Sequence, residues 1–486
     1  MAFYTGEAIT EKKEEAESCR LTVTAKFGDE GAEVSLIPTP VILSEATQTM
    51  HECAWCRPGE GLRSNRKDPE IESPTIFIPG DWREKETYRN DFKKGVYHLL
   101  SDFTGRTLPW GDLTGVRPTK IAMQQLVAGR AKKEIADYYM ETYDTSKAKA
   151  ELATRVAENE RRLVGELDLE QDYCLYIGIP FCKSRCLYCS FTSYPIAKYK
   201  KCAADYVEKL IAEVKVIARK NKERNPVAIY IGGGTPASLS EELTERLMCG
   251  IEEAYSELPS EYTVEAGRAD CITLAKLKSY INHGVNRVSI NPQTMNNETL
   301  VTIGRAHTAE QVVEAFHLAR EAGFANINMD LIAGLPGEDV KAMEHTLSEI
   351  EKLAPESLTV HSLALKRAAN LNKEFEAYGG SIHHDMEAQL DLVERCASRM
   401  GLEPYYLYRQ KNIGGNLENV GYAKPGCACL YNILIMEELV DIMGAGAGAA
   451  TKLHRKVERI ANPKQVEDYF ARYDEIIERK ENMTWQ

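Results

Sequence analysis

From residue 173 onward the chain repeats one pattern six times: a short apolar run, a turn, then a helical stretch. The runs occupy 173–179, 228–231, 262–265, 287–290, 326–332 and 357–363. The intervening stretches are amphipathic; Val207, Leu210, Ile211, Val214 and Ile217 recur on one helical face. Strands that alternate with helices pair in parallel through right-handed crossovers. Six such units are too few to close an eight-unit barrel, so the expected core is a partial α/β barrel. Parallel α/β folds gather their chemistry at the C-terminal strand ends, where loops and helix N-termini converge. The polar motifs of this chain fall there.

The first run leads into Cys182, Cys186 and Cys189, at C-x3-C-x2-C spacing. Thiolates hold iron–sulfur clusters, and a four-iron cubane ordinarily takes four of them. No fourth ligand follows closely: the next cysteine, Cys202, lies in a helical pattern and the next histidine is His283. Three sulfurs would leave one iron open to a small chelating ligand. Zinc knuckles or core thiols are the competing readings. Zinc sites that are purely structural want four closed ligands, and core thiols would not cluster beside Lys183 and Arg185.

Further motifs end later runs. Gly232-Gly-Gly-Thr-Pro236 lets a ligand approach the backbone, or is a tight strand-to-helix turn. Glu265 and Asp330 are carboxylates placed to accept from ribose hydroxyls, or are capping and loop acids. Gln293 and Arg305 flank the fourth loop, and the Arg305 fork suits a carboxylate unless it is a surface ion pair. Gly444-Ala-Gly-Ala-Gly-Ala449 superficially resembles a dinucleotide loop, but its spacing fits a strand-to-helix turn better. Cys53/Cys56 and Cys427/Cys429 form a second metal site or are plain thiols. Arg117 and Lys120 contact acidic substrate groups or belong to a structural turn.

Residues 1–165 read as an α+β accessory region, with half-exposed strands at 21–27 and 32–37, loop over 51 to about 90, and a charged helix near 147–166. Residues 166–452 form the core and 453–486 a short helical tail. A chain of 486 residues with 60 basic and 73 acidic side chains, net charge −13, does not present a general nucleic-acid-binding surface. It shows no signal pattern and no window long enough to span a membrane, and its 13 cysteines fit a reducing cytoplasm.

Taken in order, Tyr176-x-Gly-Ile-Pro-Phe-Cys-x3-Cys-x-Tyr-Cys, Gly-Gly-Gly-Thr-Pro, Val-Glu-Ala, Arg-Val-Ser-Ile-x-x-Gln, Gly-Arg-Ala-His-Thr and Asp-Leu-Ile-x-Gly-Leu-Pro-Gly resemble the radical S-adenosylmethionine (SAM) enzymes of the oxygen-independent coproporphyrinogen III dehydrogenase family. The likeness covers about residues 170–365. Leu-Pro-Trp-Gly-x-Leu-Thr-Gly-Val-Arg-Pro-Thr-Lys upstream, with Gly421–Gly426 and Cys429–Asn432 downstream, resembles the HemZ-type branch.

The resemblance implies a radical SAM partial (β/α)6 TIM-like barrel. It implies a [4Fe–4S] cluster on Cys182, Cys186 and Cys189, with SAM on the open iron and lined by Tyr176, Gly233 and Glu265. Gly234, Thr235, Gln293, Arg305, Asp330 and Ala364 match the contacts of a second SAM. The implied reaction is oxidative decarboxylation of coproporphyrinogen III to protoporphyrinogen IX, fed by a low-potential donor such as flavodoxin or ferredoxin. No catalytic side chain is assigned, and a monomer is favoured. The pattern departs from the family's dehydrogenases at Phe191 (a cysteine in those enzymes), at Gly178 (a histidine), and in its short tail. The Tyr-Cys-x-Phe ending also occurs in a related heme-chaperone branch. Delivery of heme, or radical chemistry on heme itself, therefore stands as the alternative.

Overall fold

The computed structural model describes residues 21–27, 30–38, 74–81, 85–165, 167–191, 193–364, 385–410, 413–454 and 458–483. The chain divides into two compact units, one built from Met1–Thr114 with Ala136–Ala150, the other from Gly115–Ile135 with Glu151–Gln486. Residues 115–135, 151–165 and 453–486 thus cluster with the barrel.

In the first unit, β1 (Leu21–Phe27), β2 (Gly31–Pro38) and β3 (Thr75–Pro79) form an antiparallel sheet in the order β1-β2-β3. Period-two alternation puts Ala32, Val34 and Leu36 on the face that packs with Ile78, Tyr88, Leu99 and Leu100. The last three come from the helix Lys85–Thr104. The loop expected over 51 to about 90 is corrected at its end by β3 and the start of this helix. A five-residue strand closed by Pro79 is too short for its alternation to stand out. Residues 51–73, with Cys53 and Cys56, lie outside the described residues.

The second unit is built on β4 (Asp172–Ile179), a short pair β5 (Phe181–Cys182) and β6 (Tyr194–Pro195), then β7 (Asn225–Gly233), β8 (Glu261–Gly267), β9 (Arg287–Gln293), β10 (Asn326–Ala333) and β11 (Ser357–Ser362). All six apolar runs are strands, parallel, in the order β11-β10-β9-β8-β7-β4. Helices cover them, so the strands are buried over nearly their whole length and read as continuous apolar text.

The sheet continues past these six. β12 (Glu403–Tyr408) and β13 (Asn419–Ala423) extend the β11 edge antiparallel. At the other edge β14 (Asp441–Ala445) adds a further parallel strand beside β4, followed by antiparallel β15 (Ala450–Leu453) and β16 (Glu458–Ala461). The tail therefore carries a strand before its helices Val466–Ala471 and Tyr473–Glu481.

Gly444–Ala449 joins strand to strand, which corrects the expected strand-to-helix turn. Its backbone donors are consumed by the fold: Gly446 N donates to Glu213 Oε2 (2.9 Å), Ala447 N to the Tyr206 hydroxyl (2.9 Å) and Gly448 N to Pro463 O (2.8 Å). No phosphate-facing nest is left. Arg117 pairs with Glu438 (2.8 Å) and Thr119 donates to Glu437 (2.9 Å), the structural-turn reading of that segment.

Candidate functional site

The cysteine loop is clamped at both ends. Phe181 pairs with Tyr194 and Cys182 with Pro195, and Tyr194 N donates to Pro180 O (2.8 Å), so residues 183–191 belong to a pinched excursion beyond β4. Two neighbouring segments, one at a helix C-cap and one just past a strand, hold the excursion in place. Leu187 N donates to Ile303 O (2.9 Å). Arg268, just past β8, reaches Ser184 Oγ (2.6 Å) while its fork grips Asp270 (3.0 Å for both bonds), and Asp270 also pairs with Lys183 (2.9 Å). Burial pushes Asp270 up, but the hydrogen bonds and charges of Arg268 and Lys183 outweigh it and hold the carboxyl at about 2.

Under the loop runs the Gly232–Thr235 strap. Gly234 N donates to Ile179 O and Thr235 N to Phe181 O, both at 2.7 Å, and Thr235 Oγ1 lies 3.3 Å from Cys182 Sγ. A Cβ on Gly234 would stand 2.9 Å from Cys182 Sγ and 2.6 Å from Phe181 O, closer than real contacts allow. Gly233, at φ +113°, takes a turn that a side chain would resist, and the space is closed as well. These glycines exist to bring backbone against the cysteine loop.

Cys182 and Cys186 are 8% exposed, and Cys189 is half-buried. Burial pushes the Cys182 thiol up to about 11, and a bound metal deprotonates a coordinating thiol outright. Thr235 Oγ1 and Arg305 Nη1 (3.9 Å from Cys186 Sγ) are donors aimed at these sulfurs. Among the described residues the only three candidate ligands gathered within 4.8 Å of one another lie elsewhere, at Glu245, Cys249 and His283. A buried, donor-fringed set of three sulfurs with no fourth ligand close by in the sequence fits a cubane cluster with one open iron better than a structural zinc site, which takes four closed ligands.

Beside the strap lies a carboxylate floor. Glu265 accepts a short hydrogen bond from the Tyr230 hydroxyl, and a Cβ on Gly232 would meet Glu265 Oε2 at 2.9 Å. Burial pushes Glu265 up to about 7, with the charge of Asp330 adding to the rise and the Tyr230 bond opposing it. Tyr176, Tyr230 and Tyr431 stack with ring centroids 4.4–6.4 Å apart and planes 18–19° from parallel. Asp330 accepts from Asn328 Nδ2 (2.7 Å), which also donates to Ser289 Oγ (2.8 Å). Gln293 is buried at φ +69°, a left-handed backbone rare outside glycine, at the C-terminal end of β9.

Arg305 is buried and committed on two sides, to the Tyr188 hydroxyl (3.0 Å) and Asn291 O (2.5 Å), while its Nε has no hydrogen-bond partner among the described residues. Ala364, just past β11, pairs with Ile413 in an isolated antiparallel bridge. Cys182, Gly234, Thr235, Cys186 and Arg305 therefore form one group. Tyr176, Gly233, Glu265 and Asp330 form an adjoining group through Tyr230 and the strap.

Arg268, Asp270, Tyr188, Tyr230 and Tyr431 carry much of this architecture and were not singled out from the sequence. Arg268 and Asp270 follow the Val-Glu-Ala motif directly, which was the available signal. The Cys429 thiol donates to Glu261 Oε1 (3.4 Å), which also accepts from Tyr431 N (2.9 Å), so it serves a helix start.

A partial barrel with a three-thiol loop after its first strand and a glycine strap beneath that loop defines a class. Residues 176–350 match the family model described as the Radical SAM superfamily. Members of that superfamily use a [4Fe–4S] cluster and SAM. The chain is 40% identical over 421 residues, 84% of both chains, to the oxygen-independent coproporphyrinogen-III oxidase-like protein HemZ of Bacillus subtilis. It is 34% identical over 278 residues (56% of this chain, 69% of the relative) to the heme chaperone HemW of Bacillus subtilis. Coproporphyrinogen III oxidase HemN of Escherichia coli shares the fold, with a TM-score of 0.50 at 23% identity over 65% of this chain and 71% of that one. The chain belongs to the radical SAM superfamily, in the HemZ-type branch of coproporphyrinogen-III oxidase-like proteins.

Proposed function

We propose that this protein is a radical SAM enzyme that oxidatively decarboxylates coproporphyrinogen III to protoporphyrinogen IX. Cys182, Cys186 and Cys189 hold its cluster. The observation that carries the reading is the Gly234–Cys182 approach, with no room for a Cβ between strap and sulfur, in a chain alike to HemZ over 84% of both lengths. When bound, the cluster and SAM supply a 5′-deoxyadenosyl radical by one-electron cleavage, the electron coming from a low-potential donor such as flavodoxin or ferredoxin.

The chain's own part is positioning and electrostatics. Tyr176, Gly233 and Glu265 line the first SAM, and Glu265 takes ribose hydroxyl hydrogen bonds. Gly234, Thr235, Gln293, Arg305, Asp330 and Ala364 serve a second SAM. Thr235 and Arg305 direct donors at cluster sulfurs, a recognised lever on cluster potential. Each of two substrate propionates would give a hydrogen atom to that radical, yielding 5′-deoxyadenosine, and then lose carbon dioxide to leave a vinyl group, with the remaining electron passing to an acceptor.

A second reading, heme delivery by a cluster-bearing chaperone, is favoured by Phe191. It is 67% exposed two residues past the third cysteine, and the chain is also similar to HemW. Anaerobic incubation of iron-loaded protein with coproporphyrinogen III, and separately with heme, followed by mass spectrometry, tests both. Protoporphyrinogen IX formed together with 5′-deoxyadenosine supports the dehydrogenase. SAM cleavage without that product removes the substrate claim. Stoichiometric heme binding and transfer without turnover supports the chaperone, and an opened ring points to chemistry on heme.

A further inference from the structure

We propose that Glu245, Cys249 and His283 form a second metal site, for a zinc-class divalent cation, in the outer helix layer of the barrel. Glu245 and Cys249 stand one turn apart on the helix Glu241–Glu252, and His283 is the C-cap of the helix Leu274–Asn282. Crossover helices run antiparallel to their strands, so helix C-termini lie at the end of the barrel opposite the cysteine loop.

The donor atoms form a triangle. His283 Nε2 lies 3.1 Å from Glu245 Oε1 and 3.7 Å from Cys249 Sγ, and Cys249 Sγ lies 3.8 Å from the same oxygen. A tetrahedral face built with Zn–S near ~2.3 Å and Zn–N or Zn–O near ~2.0–2.1 Å has edges of about 3.3–3.6 Å. The side chains need move only by tenths of an ångström to seat the ion.

The histidine is already aimed. Glu252 Oε2 lies 2.6 Å from Nδ1, which fixes that nitrogen as the donor and turns Nε2 toward Cys249 and Glu245. A carboxylate behind a ligating imidazole is the usual outer support of a metal-bound histidine. The charge also suits a cation: the last turn of the helix Glu241–Glu252 has no basic residue, and Glu252 sits at its negative dipole end. Glu245 is half-exposed, which leaves a solvent path and an open fourth position for water. Sulfur, nitrogen and oxygen together select a borderline ion over magnesium or calcium, which take oxygen alone. On binding, the Cys249 thiol proton passes to solvent as the Zn–S bond forms.

The test is equilibrium dialysis of the full-length, iron-loaded protein against zinc chloride under anaerobic conditions. Zinc is counted by mass spectrometry and its shell read by zinc-edge X-ray absorption. Wild type should bind one zinc per chain, with a single sulfur at about 2.3 Å and the rest nitrogen or oxygen at about 2.0–2.1 Å. Cys249→Ser and the exposed Glu245→Gln should each lose it. Glu252→Gln should weaken it by about 10–100-fold. A variant with Cys182, Cys186 and Cys189 all changed to Ala should keep it. Zinc that survives Cys249→Ser, or that follows the loop cysteines or Cys53/Cys56, overturns the assignment. So does folded wild type that takes up no zinc, in which case the triad is only an imidazolium held between two carboxylates.

Discussion

Glu265 has its proton affinity set by burial and by neighbours on two other strands. Burial removes water from the carboxyl, Asp330 on β10 adds like charge, and Tyr230 on β7 partly compensates, leaving the group at about 7. A carboxyl raised this far above its ordinary value near 4.5 binds its proton more tightly folded than unfolded. Its contribution to stability is full below about pH 4.5 and is lost as pH rises through about 7, by up to about 3 kcal/mol. Glu265→Gln should therefore flatten the decline of melting temperature across that window relative to wild type, and parallel slopes would contradict the assignment. His307, in the Gly-Arg-Ala-His-Thr motif, shows the converse: burial, with the charge of Arg305 adding, holds its imidazole down at about 3. That histidine is neutral at working pH and makes no second cation beside Arg305.

At the scale of elements, a buried carboxylate is one of the ties between tail and barrel. Glu213, on the helix Ala203–Lys220, pairs with Lys480 (3.2 Å) and accepts from Asn462 (2.8 Å), the Tyr469 hydroxyl (2.6 Å) and Gly446 N (2.9 Å). Glu213→Ala removes the counter-charge of buried Lys480, which keeps Gly444 O as an acceptor (2.5 Å), and leaves the Tyr469 hydroxyl and Gly446 N without theirs; it should cost about 3–5 kcal/mol, read from the urea midpoint. Loss of under about 1 kcal/mol would mean the network is solvated in solution. The six main strands were legible because strands buried on both faces give uninterrupted apolar text. β12 to β16 were not, since short strands such as the four-residue β15 leave too little pattern to read. The cysteine loop was legible because its ligands are local in sequence. Its anchors were not: Arg268 meets Ser184 across 84 residues, and Tyr431 meets Tyr230 only when β14 and the preceding helix Leu430–Glu437 close on the barrel.

For the second unit as a whole, the parallel sheet places loop, strap and carboxylate floor together, while β12 and β13 at one edge and β14 to β16 at the other extend the sheet beyond the six units. Among the described residues no helix is long and apolar enough to cross a membrane. The proposed chemistry depends above all on three sulfurs holding a cluster whose remaining iron accepts SAM. Electron paramagnetic resonance of the dithionite-reduced, iron-loaded protein, recorded before and after adding SAM, tests this directly. The expected result is a cluster signal that shifts on SAM addition and is missing from Cys186→Ala. A signal that ignores SAM, or that persists in Cys186→Ala, would contradict it.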